Sequence, residues 1–186
     1  EKPRETVRWE IAKAKALCAH YGAQLVVNDY WQEAIEAGCD FVHLGQGDLE
    51  HADLPVIRRR GLKLGISTHD EAELARALEA KPDYVAFGPI YPTLLKEMPF
   101  PPQGLPRLGE WKAKTGRLPL VGIGGITLER VRSVLEAGAD SAAVVTDILR
   151  HPDPEQRTRD WAKAVRQTAK ACSKEEGICG SSGPRS

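Results

Sequence analysis

Three closely similar strings recur along the chain and constrain its fold more than any other feature. They read EAGCD at residues 36–40, EAKPD at 79–83 and EAGAD at 136–140. Each string follows a helical pattern of apolar residues and precedes a short run of β-forming residues, so each closes a helix and opens a strand. Repeated boundaries of this kind are typical of βα units that build a parallel sheet.

Six apolar runs predict the strands of that sheet. They occupy residues 24–28, 41–45, 62–67, 84–88, 120–123 and 141–145. Helices are predicted over residues 1–22 and 53–60, and from Asp153 to about Lys170. The Pro-rich segment 89–106 is too irregular for either element, and long structured loops of this kind usually carry function.

Six parallel strands with intervening helices resemble a TIM (β/α)8 barrel that lacks its first strand, first helix and second strand. A flavodoxin-like open sheet is the alternative. The Gly-Gly turn at residues 124–125 favours the barrel, because barrels place a phosphate site after their last two strands. We predict one domain over residues 1–170 and a disordered tail over 171–186, where the Gly/Ser-rich composition offers nothing to pack.

Composition excludes several classes of protein. Lys and Arg (26) balance Asp and Glu (26) and are scattered, so the sequence carries no electrostatic footprint for nucleic acid or a membrane surface. The four cysteines have neither metal-ligand spacing nor the density of a disulfide scaffold. No signal peptide or membrane-spanning run is visible. We therefore expect a cytoplasmic protein that acts on small molecules, with a homo-oligomer left open.

Asp29 and Asp48 each lie just past the end of a predicted strand. Ligands of parallel sheets sit at the carboxyl ends of the strands, so the fold would bring the two carboxylates to one rim. Two carboxylates without a histidine or cysteine cluster favour Mg²⁺ over zinc. The structural alternative is that Asn28 or Asp29 caps the next helix, with Gln32 completing a capping box, and that Asp48 is an ordinary loop aspartate.

Polar residues follow another predicted strand at Ser67, Thr68 and His69. Thr68 and Glu71 form a capping-box pattern. In the plain structural interpretation, Thr68 caps a helix and His69 is a surface side chain, because a histidine near a helix start seldom acts as a base without an orienting partner.

The two glycines at residues 124–125 precede Thr127, which is predicted to cap a helix. Backbone N–H groups at such a helix start form a natural anion cradle, and Val145 and Thr146 at the adjacent strand end would face the same phosphate. The alternative is that a tight turn needs glycine. Lys96 follows Thr93 in the Pro-rich loop, where a lysine is either a ligand for an anion or a solvated charge.

Taken together, six strings resemble the thiamine-phosphate synthase family. They are VVNDYWQEAIEAG, VHLGQGDL, GISTHD, FGPIYPTLLKEMPFPPQGL, VGIGGIT and ADSAAVVTDI, and they cover about residues 9–164 in family order and spacing. As a set they are highly specific. The resemblance implies a barrel enzyme that joins hydroxymethylpyrimidine diphosphate to thiazole phosphate, with Mg²⁺, and releases thiamine phosphate and pyrophosphate.

The resemblance also implies a role for individual residues. It assigns Mg²⁺ to Asp29 and Asp48, the pyrimidine diphosphate to Asn28, Ser67 and Lys96, and the thiazole phosphate to Thr93, Gly125, Val145 and Thr146. It implies a dissociative route, in which pyrophosphate leaves and the thiazole nitrogen captures a pyrimidinylmethyl cation. Lys96 and Ser67 are then the candidate catalytic residues, because the departing charge needs neutralisation and no protein nucleophile is required.

The sequence departs from the family pattern in two places. Leu95 stands where the family usually has a second threonine, beside Lys96. The family's Gln-x-Arg-x-Lys run falls just before Glu1, and Lys2 is no substitute, so we expect little synthase activity from the chain as it starts here. The alternatives are a thiazole tautomerase-like isomerase, whose histidine falls near His69, and a catalytically inactive barrel fragment.

Overall fold

A computed structural model of the protein describes residues 2–93 and 100–176, with side chains up to residue 165. Its six strands are β1 (Val27–Asn28), β2 (Phe41–Leu44), β3 (Lys63–Thr68), β4 (Tyr84–Phe87), β5 (Leu120–Ile123) and β6 (Ser141–Ala143). They pair in chain order, each parallel to the next. This order builds the wall of a half-barrel. The flavodoxin-like alternative is wrong, because that sheet reverses its strand order.

The helices of the described residues lie between and around these strands. They are α1 (Arg4–Tyr21), α2 (Trp31–Glu36), α3 (Gln46–His51), α4 (Leu54–Arg59), α5 (Glu71–Glu79), α6 (Gly104–Thr115), α7 (Val131–Glu136), α8 (Thr146–Leu149) and α9 (Pro154–Glu176). Helix α1 ends at Gly22 in the left-handed region, as predicted. Helix α9 starts after Asp153, whose Oδ1 accepts the Gln156 N–H at 2.9 Å, and runs past its predicted end. No helix of the described residues is long and apolar enough to cross a membrane.

The sequence pattern misses two helical starts. Helix α3 occupies residues 46–51, directly after β2. The pattern misses it because Gly47 in its first turn weakens the helical signal. Helix α6 begins at Gly104, inside the segment predicted to be irregular. Strand β1 is also shorter than its apolar run, since its pairing with β2 is confined to Val27 and Asn28.

The core lies between the sheet and the outer helices, and it includes a side chain that the sequence assigns to a cap. Thr68 is buried; its Oγ1 donates to the Ala86 carbonyl at 2.9 Å and accepts the Trp111 indole N–H at 3.0 Å. The predicted Thr68 cap is therefore wrong. Asp70 caps α5 instead, accepting the Glu73 N–H at 2.8 Å. Thr68 can turn into the core because neighbouring strand residues face opposite sides of the sheet.

Candidate functional site

A cavity of about 590 Å³ opens at the carboxyl ends of the strands, a volume typical of small-molecule sites. Its lining includes eight of the ten candidate metal and substrate residues, namely Asn28, Asp29, Asp48, Ser67, Thr93, Gly125, Val145 and Thr146. Leu95 and Lys96 lie outside the described residues. The parallel topology thus brings together residues that lie far apart in the sequence.

Asp29 occupies a backbone conformation that few non-glycine residues adopt. Its φ is 68°, in the left-handed region, and its N–H donates to the His43 carbonyl at 2.8 Å. The Asn28 amide donates to Asp29 Oδ2 at 2.6 Å. The predicted capping role is wrong, because the residue at the N-cap of α2 is Tyr30 and no side chain caps that helix. Such backbone strain is often found at functional sites.

Asp48 lies in the first turn of α3 rather than in a loop. Its carboxylate folds back over the end of β2, where a Cβ on Gly45 would come within 3.3 Å of Asp48 Oδ2. Across the described parts of the chain, no cluster of three or more His, Cys, Asp or Glu side chains is suited to a metal. Two carboxylates on a cavity wall fit Mg²⁺, which is completed by water and phosphate oxygens, better than they fit zinc.

On the opposite side of the cavity, glycines allow two backbone segments to touch. A Cβ on Gly124 would lie 2.6 Å from Pro89 Cα, and one on Gly125 would lie 2.4 Å from the Pro92 carbonyl oxygen. Both glycines also have positive φ, 94° and 63°. Close approach, in addition to turn geometry, therefore requires glycine at both positions.

The predicted helix start after these glycines is wrong. Helix α7 begins at Val131 with Arg130 at its N-cap, and no side chain caps it. Thr127 lies in the preceding turn, where its carbonyl accepts the N–H groups of Arg130 and Val131, both at 3.0 Å. Any anion bound beside Gly125 would therefore meet amides of a loop, not the end of a helix.

The side of the cavity that carries Asp29 and Asp48 is called the first wall, and the side that carries Gly125, Val145 and Thr146 the second wall. An ion pair stabilises the second wall. Arg157 on α9 donates to both carboxylate oxygens of Asp147 on α8 at 2.9 Å, and the Trp161 indole N–H donates to Asp147 Oδ2 at 2.7 Å. Burial works to raise the pKa of Asp147, but these hydrogen bonds hold it below its ordinary value. Thr146, the neighbour of Asp147, is thereby held at the cavity.

Two histidines in the cavity have partners that the sequence did not reveal. His69 Nδ1 contacts Glu73 Oε2 at 2.7 Å, and its ring stacks on Phe100 with centroids 4.7 Å apart. The expectation of a surface His69 without an orienting partner is wrong. The spacing of His69 and Glu73, four residues apart at the start of a helix, could have signalled the pair.

His43 lies on β2 with both ring nitrogens engaged. Nδ1 contacts the Tyr84 hydroxyl and Nε2 contacts Ser67 Oγ, both at 2.8 Å. Burial lowers the pKa of His43 to about 4 and raises the pKa of Tyr84 to about 12, so both side chains are neutral at pH 7. The sequence signal was a single polar residue within an apolar strand.

Comparison with known proteins decides the family. Residues 1–148 match the thiamine monophosphate synthase family. The chain belongs to that family. The resemblance found in the sequence motifs is confirmed.

Named relatives agree with this membership. The chain is 62% identical over 165 residues to the thiamine-phosphate synthase of Rhizobium etli, a match that covers 89% of this chain and 81% of that protein. It is 52% identical over 151 residues to the thiamine-phosphate synthase of Serratia proteamaculans, covering 81% and 71%. Among solved structures it is similar to the thiamine phosphate pyrophosphorylase of Pyrococcus furiosus, with a TM-score of 0.77, 27% identity, and coverage of 90% and 80%. The fold is thus similar to that of a solved thiamine phosphate pyrophosphorylase.

Proposed function

We propose that the protein is a transferase of thiamine biosynthesis that joins hydroxymethylpyrimidine diphosphate to thiazole phosphate. Family membership and the high identity to proteins named thiamine-phosphate synthase support this function. The structural observation that carries it is one cavity with carboxylates on its first wall and a glycine turn on its second. Such a cavity suits two phosphorylated substrates held side by side.

The first wall would bind the pyrimidine diphosphate. Asp29 and Asp48 would hold Mg²⁺ together with the diphosphate oxygens, and Asn28 and Ser67 would donate hydrogen bonds to that substrate. Lys96, by its place in the motif, would add a positive charge. Their shared position on the cavity supports these roles for all but Lys96, which rests on the motif alone.

The second wall would bind the thiazole phosphate. Thr93 and Thr146 offer hydroxyl groups, and Gly125 and Val145 offer backbone N–H groups, to a phosphate that lies against the turn. Leu95, which replaces the usual threonine, would contribute no hydrogen bond. We expect this to weaken binding of the thiazole phosphate relative to other family members.

The reaction exchanges one bond for another. The bond between the pyrimidine methylene carbon and the diphosphate oxygen breaks, and the oxygen keeps the electron pair. The thiazole nitrogen then donates its lone pair to the methylene carbon. Mg²⁺ held by Asp29 and Asp48 would supply positive charge that stabilises the departing pyrophosphate, and Ser67 and Lys96 would hold the diphosphate as its charge grows.

We further propose that the half-barrel is completed by an upstream strand, helix and strand that carry the Gln-x-Arg-x-Lys run, giving a full TIM barrel in one domain that ends near residue 170. Exposed apolar side chains near β1 support this. Val26 and Tyr30 flank that strand, and Trp9 and Tyr21 lie on α1. Small phosphorylated substrates suit a cytoplasmic enzyme.

The test is product formation. The chain from Glu1, and the same chain preceded by its natural upstream sequence, are each incubated with both substrates and Mg²⁺. Thiamine phosphate is measured by mass spectrometry and pyrophosphate by a coupled assay. We expect the two products in equal amounts from the longer protein. Their absence from both proteins would overturn the proposed transferase.

The His69–Glu73 pair favours a second candidate function, proton transfer in the isomerisation of a thiazole carboxylate phosphate. A carboxylate that orients an imidazole is the usual arrangement for a general base. Isomerisation in D₂O would place deuterium in the product, which NMR detects. His69→Gln should abolish this exchange, whereas His151→Gln should not, because the His151 ring lies outside the cavity lining and its Nδ1 contacts the Asp153 backbone. Exchange that persists in His69→Gln would exclude the pair as its base.

A further inference from the structure

His43, Gly65 and Tyr84 form one row across three strands of the sheet. In the strand register His43 pairs with Gly65, and Gly65 pairs with Tyr84. Glycine in the middle of the row leaves room for the Tyr84 ring to cross β3. A Cβ on residue 65 would come within 2.1 Å of Tyr84 Cζ, so any other residue would displace the ring.

The crossing brings Tyr84 against His43. The two rings stack with centroids 5.5 Å apart and an interplanar angle of 24°, and the Tyr84 hydroxyl contacts His43 Nδ1 at 2.8 Å. On its other side, His43 Nε2 contacts Ser67 Oγ at 2.8 Å. Ser67 lies two residues after Gly65 on the same face of β3 and lines the cavity. A continuous chain of hydrogen bonds therefore runs from Tyr84 to the substrate cavity.

The direction of this chain decides what Ser67 can do. A neutral imidazole carries one N–H, so one ring nitrogen donates and the other accepts. If Tyr84 donates to Nδ1, then Nε2–H donates to Ser67 Oγ, and the Ser67 hydroxyl proton is available to the cavity. In the opposite direction Ser67 would donate to His43 and turn only lone pairs towards an anionic ligand, which would repel it.

We propose that Tyr84 and His43 are positioning residues that fix Ser67 as a hydrogen-bond donor towards the diphosphate of the pyrimidine substrate. The inference rests on the proposed function for the identity of the substrate. Burial contributes by keeping the Tyr84 hydroxyl protonated at pH 7. The row of three residues would then determine whether the uncharged Ser67 side chain donates or accepts a hydrogen bond in the cavity.

The first test measures the tautomer. Protein labelled with ¹⁵N-histidine gives distinct signals for protonated and unprotonated ring nitrogens, and His43→Gln assigns those of His43 by their loss. We expect the Nε2–H tautomer in the wild-type protein. The Nδ1–H tautomer would overturn the proposal, whatever reaction the protein catalyses.

The second test measures the coupling to Ser67. Tyr84→Phe should raise KM for the pyrimidine diphosphate about tenfold and leave KM for the thiazole phosphate unchanged, because only the donor at Ser67 is disturbed. Ser67→Ala should raise the same KM by at least as much. In the Ser67→Ala background, Tyr84→Phe should have no further effect. Additive effects, or equal changes for both substrates, would indicate a merely structural role and overturn the relay.

Controls separate this inference from the proposed reaction. Tyr21→Phe, on an exposed ring of α1, should change neither KM. If the wild-type protein forms no thiamine phosphate, binding of inorganic pyrophosphate with Mg²⁺, followed by calorimetry, replaces the kinetic assay. Loss of affinity in Tyr84→Phe but not in Tyr21→Phe would then support the positioning role of Tyr84 and His43, even with the proposed transferase reaction disproved. Equal affinities in both variants would refute it.

Discussion

The two walls of the cavity are built on different physical principles. The first wall, at the ends of β1, β2 and β3, presents side chains that carry charge or polarity: Asp29, Asp48 and Ser67. The second wall, at the ends of β5 and β6, presents Gly125 and Val145, which offer mainly backbone amides, beside the hydroxyl of Thr146. Side chains act through their chemical type, whereas amides act through the conformation of the segment that holds them.

This difference predicts opposite responses to substitution. On the first wall, a change that keeps shape but removes charge should abolish function and leave the fold intact. On the second wall, a change that keeps the chemistry but adds one methyl group should disturb the fold, because Gly124 and Gly125 contact the backbone of residues 89–92. Substitutions on the first wall should therefore act through side-chain charge, and those on the second wall through side-chain volume.

The largest expected effect is that of Asp48→Asn on the first wall. The amide keeps the size of the carboxylate but removes its charge, so the proposed Mg²⁺ would lose an anionic ligand. We expect kcat/KM to fall about 10³-fold, or ~4 kcal/mol of transition-state stabilisation. The melting temperature should not change, since Asp48 is exposed. Initial rates across a range of Mg²⁺ concentrations measure the first quantity and calorimetry the second.

The matched control is Asp40→Asn, which directly precedes β2 whereas Asp48 follows it, and which is also exposed. It should retain wild-type activity. If both variants lose activity to the same extent, the loss does not arise at the rim, and the assignment of charge to the first wall is wrong.

Gly125→Ala tests the second wall and should have the next largest effect. The added methyl group would lie 2.4 Å from the Pro92 oxygen, and the residue would keep a φ of 63°. The two costs together should lower the free energy of unfolding by about 3–4 kcal/mol. Denaturant titration measures the change. KM for the thiazole phosphate should rise while that for the pyrimidine diphosphate changes less.

Gly22→Ala separates the two costs. Gly22 has a φ of 64°, but a Cβ there would meet nothing within 4 Å. This variant should lose only about 1 kcal/mol, the cost of the left-handed conformation. Equal losses at residues 22 and 125 would show that close approach contributes nothing to the second wall.

The first wall was largely predictable from the sequence because charge and hydrogen-bonding groups belong to the side chains themselves. The positions of Asp29 and Asp48 at the cavity rim were predicted from strand ends alone, since parallel strands place their carboxyl ends at one rim. Their local setting was not predicted. Helix α3 around Asp48 was missed, and the capping role considered for Asp29 is wrong, because a capping pattern does not specify the backbone angle that puts Tyr30 at the N-cap.

The second wall was predicted for an incorrect reason. The glycines were noticed, but their N–H groups were assigned to a helix that begins only at Val131. Their contacts with Pro89 and Pro92 depend on how a distant loop returns to the sheet, which no local pattern contains. The partners of His43 were missed for a similar reason, since they depend on the register of three strands.

Arg157→Gln should weaken the second wall by an intermediate amount that depends on pH. Removing Arg157 leaves the carboxylate of Asp147 largely buried without its cation, at a cost of about 2–3 kcal/mol near pH 7. The folded-state pKa of Asp147 is lowered, so its contribution to stability is present above the ordinary carboxyl pKa of about 4 and is lost as the pH falls through the folded value. The difference from wild type should therefore shrink below about pH 4.

Arg159→Gln provides the control on the same helix. Arg159 pairs with Glu155 at the surface, so its loss should cost at most about 0.5 kcal/mol. Denaturant titrations between pH 3 and 8 compare the two variants. A difference between Arg157→Gln and wild type that stays constant down to pH 3 would mean that Asp147 does not carry the effect.

The smallest effect sharpens the comparison within a single strand. Ser67 faces the cavity and Thr68 faces the core, as neighbours on β3 must. Thr68→Val keeps the shape but leaves the Trp111 N–H and the Ala86 carbonyl without their partner, which should cost about 1–2 kcal/mol of stability and leave KM unchanged. Ser67→Ala should do the reverse. Denaturant titration and steady-state kinetics on both variants test this, and the outcome that contradicts it is a change in the same quantity for both. The prediction requires that the hydrogen bonds of Thr68 stabilise the fold and that those of Ser67, its neighbour on the other face of β3, act in substrate binding.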